Sequence, residues 1–218
     1  MWYTLCLSAT VALSLVVLWY CLCLRWYRQR AAKLLGRLET AFAGNGEIGD
    51  PKWISGSLFR VEVKLGNCGF IDPTVTVRFT PRQDPSRWIR SIARKDRETV
   101  TFEANLPCPP AFNLEVHNQH WMGKSGRKLL RKMSVMRMKR VGPFVLTSRR
   151  EWERDITGMM HGLAASRDCE LMSVAFRRRA PHFSATIPLE VLAEQGWTEV
   201  RFFDVLRELA AGASAARF

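Results

Sequence analysis

The sequence predicts an α+β protein. One N-terminal transmembrane helix is followed by a domain with a mainly antiparallel sheet and packed helices. Three observations predict this. Trp2 to Leu24 is a run of 23 residues without a charged side chain. Four later runs alternate apolar and polar residues with a period of two, the pattern of half-exposed antiparallel strands. Other segments repeat their apolar residues at helical spacing. The expected organisation is a transmembrane helix over 1–24, a juxtamembrane amphipathic helix and linker over 25–45, and a soluble α+β domain over 46–218.

As a helix, the N-terminal run would be roughly 34 Å long at 1.5 Å per residue, against a bilayer core of about 30 Å. A soluble core helix would carry a polar stripe, but Thr4, Ser8, Thr10 and Ser14 are the only clearly polar positions. Trp2 and Tyr3 sit at one end, and Trp19, Tyr20, Trp26 and Tyr27 at the other, as in interfacial aromatic belts. A cleaved signal peptide fits poorly. It requires a basic segment before the apolar core and a small-residue site close behind it. No basic side chain precedes this run, and Ala41-Phe42-Ala43 lies beyond five basic residues. Those five (Arg25, Arg28, Arg30, Lys33 and Arg37) set the expected orientation, because cytoplasmic flanks are enriched in Lys and Arg. The expectation is a single pass through the inner (plasma) membrane, with the N-terminus outside and the C-terminal domain cytoplasmic. Of the six cysteines, Cys6, Cys21 and Cys23 then lie in or at the edge of the membrane, and Cys68, Cys108 and Cys169 read as reduced thiols of a cytoplasmic domain.

The elements follow in order. Ala31, Leu34, Leu35, Leu38 and Phe42 continue a helix, and "AGNGEIGDP" breaks it. "LFRVEVKL", "PTVTVRFT", "ETVTFEA" and "FNLEVHN" are the four alternating runs, read as a meander. The stretch "PRQDPSRWIRSIARKD" between the second and third has room for a short helix. "GRKLLRKM" reads as a short helix and "FVLTS" as a strand. Ser148 and Glu151 then make a capping box for a helix to about Ala165. "ELMSVAFRR" and "HFSATIPL" are two more strands. "PLEVLAEQG" and "TEVRFFDVLRELAAGA" close the chain as helices.

The search for chemistry is negative. There is no Walker loop, dinucleotide fingerprint, nucleophile elbow or H-E-x-x-H. "GKSGRK" lacks the upstream glycine of a phosphate loop. His117 and His120 would face opposite sides of a strand, so joint metal ligation, with or without Cys108, would need a turn there. Surface histidines at a strand end are the simpler reading. Glu151, Glu153 and Asp155 suit the first turns of a helix, and the methionines suit core filling. The expectation is no enzyme, no metal and no cofactor.

Charge is the stronger signal. The chain carries 33 basic and 20 acidic side chains, a net charge of +13. Residues 116–150 hold ten of the basic groups and no acid. Lys124, Arg127, Lys128, Arg131 and Lys132 share one helical face, and Arg137, Lys139 and Arg140 follow. Together with Arg25, Trp26, Arg28 and Arg30 at the membrane edge, these are the candidate lipid- and partner-binding residues. Basic side chains near an anionic bilayer are each worth about 1 kcal/mol. Nucleic acid is the less favoured partner, because no recognition motif is present and aromatics near the patch are few.

"FRVEV", "GPFVLTSRREW" and "RFFDVLRELA" carry a resemblance. In them the chain resembles a class of uncharacterised bacterial single-pass membrane proteins with an N-terminal anchor and a cytoplasmic α+β domain. The resemblance covers most of the chain and implies architecture without chemistry. The resulting expectation is an accessory or assembly subunit of an inner-membrane complex, binding partner subunits and anionic lipid headgroups. The alternative is a membrane-tethered nucleic-acid-binding protein.

Overall fold

The structure is a computed structural model. It describes residues 2–42, 46–66, 69–110, 112–118, 120–121, 137–141, 144–148, 171–193 and 205–208. Helix α1 (Trp2–Phe42) is unbroken over 41 residues, about 62 Å at the usual rise. Among the described residues it is the one helix long and apolar enough to cross a membrane. Its two halves live in different surroundings. Residues 2–22 are exposed throughout, whereas Tyr27, Ala31, Leu34, Leu38 and Phe42 are buried in the core of the domain. Their spacing of three and four residues makes one stripe along the helix. Tyr27, read from sequence as a belt aromatic, belongs to this stripe. It lies one turn before Ala31 on the same face.

Among the described residues the sheet has ten strands. They are β1 (Gly46–Ile48), β2 (Lys52–Ser55), β3 (Leu58–Leu65), β4 (Ile71–Arg78), β5 (Thr99–Asn105), β6 (Leu114–Asn118), β7 (Arg137–Val141), β8 (Phe144–Ser148), β9 (Ser173–Phe176) and β10 (Phe183–Pro188). The spatial order is β1-β3-β4-β5-β10-β9-β6-β8-β7, with β2 also on β3, and the pairings are antiparallel. Helix α2 (Pro85–Arg94) lies between β4 and β5, and α3 (Leu189–Ala193) follows β10. The fold is α+β, as the sequence indicates.

The alternating runs bury the expected face. Phe59, Val61 and Val63 of β3, Val75 and Val77 of β4, and Val100, Phe102 and Ala104 of β5 are all buried. The meander holds for β3, β4 and β5 and then stops. Strand β6 does not join β5; β10 and β9 come between them. Alternation fixes which face is buried but not which strand is the neighbour. Here β10 matches β5 over six residue pairs, from Phe183↔Ala104 to Pro188↔Thr99. The Thr101 and Thr186 hydroxyls also meet across that pair at 3.2 Å.

Two strands at the start of the sheet were not expected. The glycines of "AGNGEIGDP" read as a break, yet Gly46 opens β1. A β-carbon there would run into the Lys64 carbonyl oxygen of β3, so the residue permits a close strand approach rather than a turn. Strand β2 is exposed along its whole length, which leaves no alternation to read. Strand β7 falls in the basic segment and, among the described residues, pairs only with β8. The helix expected over 126–133 lies outside the described residues, as does the one expected after Ser148, which itself ends β8. Of the closing helix a turn at 205–208 is described, with Val205 and Leu206 buried.

The core is aromatic. Phe102 packs edge-on to Phe70 at 5.2 Å between centroids and to Phe183 at 6.2 Å; Phe183 meets Phe176 at 5.1 Å, and Phe176 meets Phe112 at 6.4 Å. Helix α1 docks on this row. Phe42 stacks on Phe102 at 6.5 Å, and Tyr27 stacks on Phe79 at 5.6 Å. Such pairs add about 0.5–1.5 kcal/mol to the area they bury. Phe102 therefore joins α1 to the sheet. Phe102→Ala is expected to cost about 3–5 kcal/mol, read as a lowered urea midpoint for the full chain in detergent micelles.

Candidate membrane-junction site

Hydrogen bonds, an ion pair and cation–π contacts converge where α1 leaves the domain. The loop after β4 closes around the helix there. The Tyr27 phenol donates to the Thr80 carbonyl at 2.6 Å and accepts the Arg82 backbone N–H at 2.6 Å. Just over two turns toward the N-terminus, Trp19 Nε1 donates to the Arg82 carbonyl at 3.2 Å. Residues 80–82 thus hold two points of α1 that are eight positions apart, roughly 12 Å along the axis.

Arginine and tryptophan complete the collar. The Arg30 and Arg82 guanidinium carbons lie 4.9 and 4.6 Å from the Trp26 ring centroid. Arg30 also pairs with Glu98 at 2.5 Å, and Glu98 accepts the Thr80 backbone N–H at 3.2 Å. Cation–π contacts of this kind contribute about 0.5–1 kcal/mol at exposed sites and more when desolvated. The β2–β3 turn meets the same region. Phe79 N–H donates to the Ser57 carbonyl at 2.8 Å, and Gln83 Nε2 donates to Ser57 Oγ at 3.4 Å. A β-carbon on Gly56 would stand 3.0 Å from a Leu24 methyl. Only a small residue lets the turn sit this close to the helix.

Helix α2 leaves directly from the collar. Asp84 is its N-cap and accepts the Ser86 and Arg87 N–H groups at 3.0 and 3.2 Å. Hydrogen bonding from the Ser86 side chain, then from Arg87, holds this carboxyl below its ordinary range. Lys95 ends the helix in a left-handed conformation with φ 56°. Trp88 of α2 faces Trp19 of α1, with ring centroids 6.4 Å apart.

The sequence-predicted residues fall in three groups. Arg25 and Arg28 are exposed beside the junction. Trp26 and Arg30 are built into the collar. Lys124, Arg127, Lys128, Arg131 and Lys132 lie outside the described residues, and Arg137, Lys139 and Arg140 lie on β7. Sequence reasoning did not single out Arg82, Trp88, Ile89 or Ile92. A signal was present: Trp88, Ile89 and Ile92 share a helical arc away from Arg87, Arg90 and Arg94. It is only ten residues long and sits inside a loop-like context.

No group of three potential metal ligands occurs among the described residues. His117 lies 3.7 Å from Glu115 on the same strand, and His120 packs edge-on to Trp121 at 5.1 Å. The Glu115 carboxyl is held below its ordinary range, first by the neighbouring His117 imidazole and against the opposing effect of burial, with Arg177 adding to the lowering.

These features define an α+β domain carried on a helix long and apolar enough to cross a membrane. No family model matches the chain, and no curated protein matches it. Among solved structures, the mycobacterial trehalose monomycolate transport factor A, TtfA, is similar over 81% of this chain and 96% of that chain, with a TM-score of 0.40 and 12% identity. At that score neither fold identity nor function carries from that protein to this one.

Two outcomes test the site. Tyr27→Phe leaves the Arg82 N–H and the Thr80 carbonyl without their partner, and is expected to cost about 1–3 kcal/mol, measured by urea unfolding in micelles. For Glu115, the folded pKa is depressed. Its ionised form therefore contributes stability above the ordinary carboxylate pKa, and that stability is lost as pH falls through the lowered folded value. Glu115→Gln should lower the melting temperature near neutral pH and flatten the acid side of the melting profile; an unchanged acid slope would remove the assignment.

Proposed function

We propose that this protein is a single-pass accessory or assembly subunit of an inner-membrane complex, with the N-terminus outside and the domain cytoplasmic. The continuity of α1 carries the reading. The helix is exposed over 2–22 and buried at five positions from Tyr27 to Phe42. A domain that shares a core with its own anchor does not swing on a linker. It holds one orientation to the bilayer and presents fixed faces to its neighbours in the membrane plane. This supports a positioning role better than a tethered, freely diffusing one.

The orientation rests on Arg25 and Arg28, exposed where the uncharged run ends. In this reading they meet anionic headgroups. In the same reading the basic residues Lys124, Arg127, Lys128, Arg131, Lys132, Arg137, Lys139 and Arg140 bind acidic partner subunits or lipid.

Gentle detergent extraction is expected to recover the protein in a stable complex, and recovery only as a free monomer would overturn the subunit role. Orientation has a separate readout in Cys108, an exposed free thiol. A membrane-impermeant maleimide should label it in inside-out vesicles and spare it in right-side-out vesicles. The opposite pattern reverses the topology.

A further inference from the structure

We infer that α2 and the β2–β3 hairpin form a membrane-seated foot, in which Trp88, Ile89, Ile92 and Ile54 enter the headgroup–acyl boundary of an anionic bilayer. The inference rests on the anchor reading of α1 and concerns residues outside both basic patches.

Depth is the first ground. Trp88 contacts Trp19, which stands six residues before Arg25, about 9 Å up the span at the usual rise. Arg82, just before α2, holds the same indole through its carbonyl. Helix α2 is therefore level with the last turns of the uncharged run, where Trp and Tyr side chains occupy the interface. Any bilayer that surrounds residues 2–22 must meet α2 at its surface.

Surface chemistry is the second ground. Ile89 and Ile92 are 66% and 59% exposed and Ile54 is 56% exposed. The large apolar side chains exposed on the domain, among the described residues, are Trp53, Ile54, Ile71, Ile89 and Ile92. Four of these five lie at the end of the sheet where α1 leaves, because β2 pairs with the start of β3 and α2 follows the end of β4. Only Ile71, at the start of β4, lies at the far end. A clustered apolar surface of this kind marks an interaction site. On α2 the arc opposite the isoleucines carries Arg87, Arg90 and Arg94, all exposed, and the helix holds no acid. An apolar arc with aromatic and aliphatic residues and a basic opposite face is the composition of a helix lying in the plane of an anionic membrane surface. The hairpin meets α1 nearer the basic flank, where the Gly56 turn abuts Leu24, the last residue of the uncharged run.

A third ground is rigidity. The Asp84 cap and the Tyr27, Arg82 and Ser57 bonds fix α2 and the hairpin to α1 itself. The foot thus adds a second contact with the bilayer at a set distance from the span. It fixes the rotation of the domain about the helix axis, which a single helix leaves free.

The test uses nitroxide labels on the full chain in vesicles of phosphatidylcholine and phosphatidylglycerol. Labels at Ile89→Cys, Ile92→Cys and Ile54→Cys, with native cysteines replaced, should lose collision with a water-soluble nickel chelate and gain collision with oxygen. Ile71→Cys should stay wet and Leu13→Cys should be deep. Vesicles of phosphatidylcholine alone should return part of the nickel collision at 89 and 92; equal protection in both would overturn the anionic component. Labels at 89, 92 and 54 as wet as 71, with 13 still deep, overturn the foot and leave the anchor standing. A wet label at 13 removes the anchor and the foot with it. Protection at 89 and 92 in native membranes but not in vesicles assigns the face to a protein and overturns the lipid contact. Should the cysteine-free chain fail to fold, photolabelling of the unaltered protein with a diazirine lipid gives the same reading. Adducts within 85–94 support the foot, and their absence beside adducts in the span overturns it.

Discussion

The structure depends on one stripe of side chains along α1. Tyr27, Ala31, Leu34, Leu38 and Phe42 close the apolar face of the sheet, and the same helix, without a break, becomes the uncharged run. Burying a large apolar side chain fully is worth about 1.5–3 kcal/mol, so the four large members of the stripe hold the helix to the sheet far more firmly than a flexible linker would. The anchor is in this sense a core element of the domain. Everything at the junction follows from that. Because α1 packs along the sheet beside β4, the loop 80–82 can bond to it at two heights, and α2 can lean on Trp19.

The collar shows how charge is handled at such a boundary. Arg30 is one of the five basic residues that mark the inner side of the span, yet it is turned to Glu98 and Trp26 rather than left wholly to solvent or lipid. Glu98 in turn accepts a backbone N–H of the collar loop. A partly desolvated cation in this position is stable because both the carboxylate and the indole face compensate it. Arg25 and Arg28 lack that arrangement and remain exposed, available to headgroups. Residues that look equivalent in a charge count therefore divide between holding the loop and meeting the surroundings.

Much of the fold was legible in advance, for reasons that differ by element. Strands β3, β4, β5 and β10 have one dry and one wet face, so their period of two is written in the sequence. The neck of α1 was legible as a helix because Ala31, Leu34, Leu38 and Phe42 repeat its period. Strand β2 was not, because all four of its residues are exposed and nothing selects a face. Strand β1 was hidden by glycines that serve a close approach to β3 rather than a turn. The junction was half legible: Trp26 and Arg30 stood out beside the apolar run, while Arg82 and Trp88 gained meaning only from neighbours more than fifty positions away.

By itself the sequence determined the class, the buried faces of the main strands and the existence of a helix able to cross a membrane. These depend on local composition and on periods of two and 3.6 residues, which a chain displays without being folded. Tertiary structure decided the rest. It placed β10 and β9 between β5 and β6, moved Tyr27 from an interfacial aromatic to a core residue, and set α2 level with Trp19. Each of these is a choice between partners distant in the chain. Such choices are made by the fit of whole surfaces, which no local pattern records.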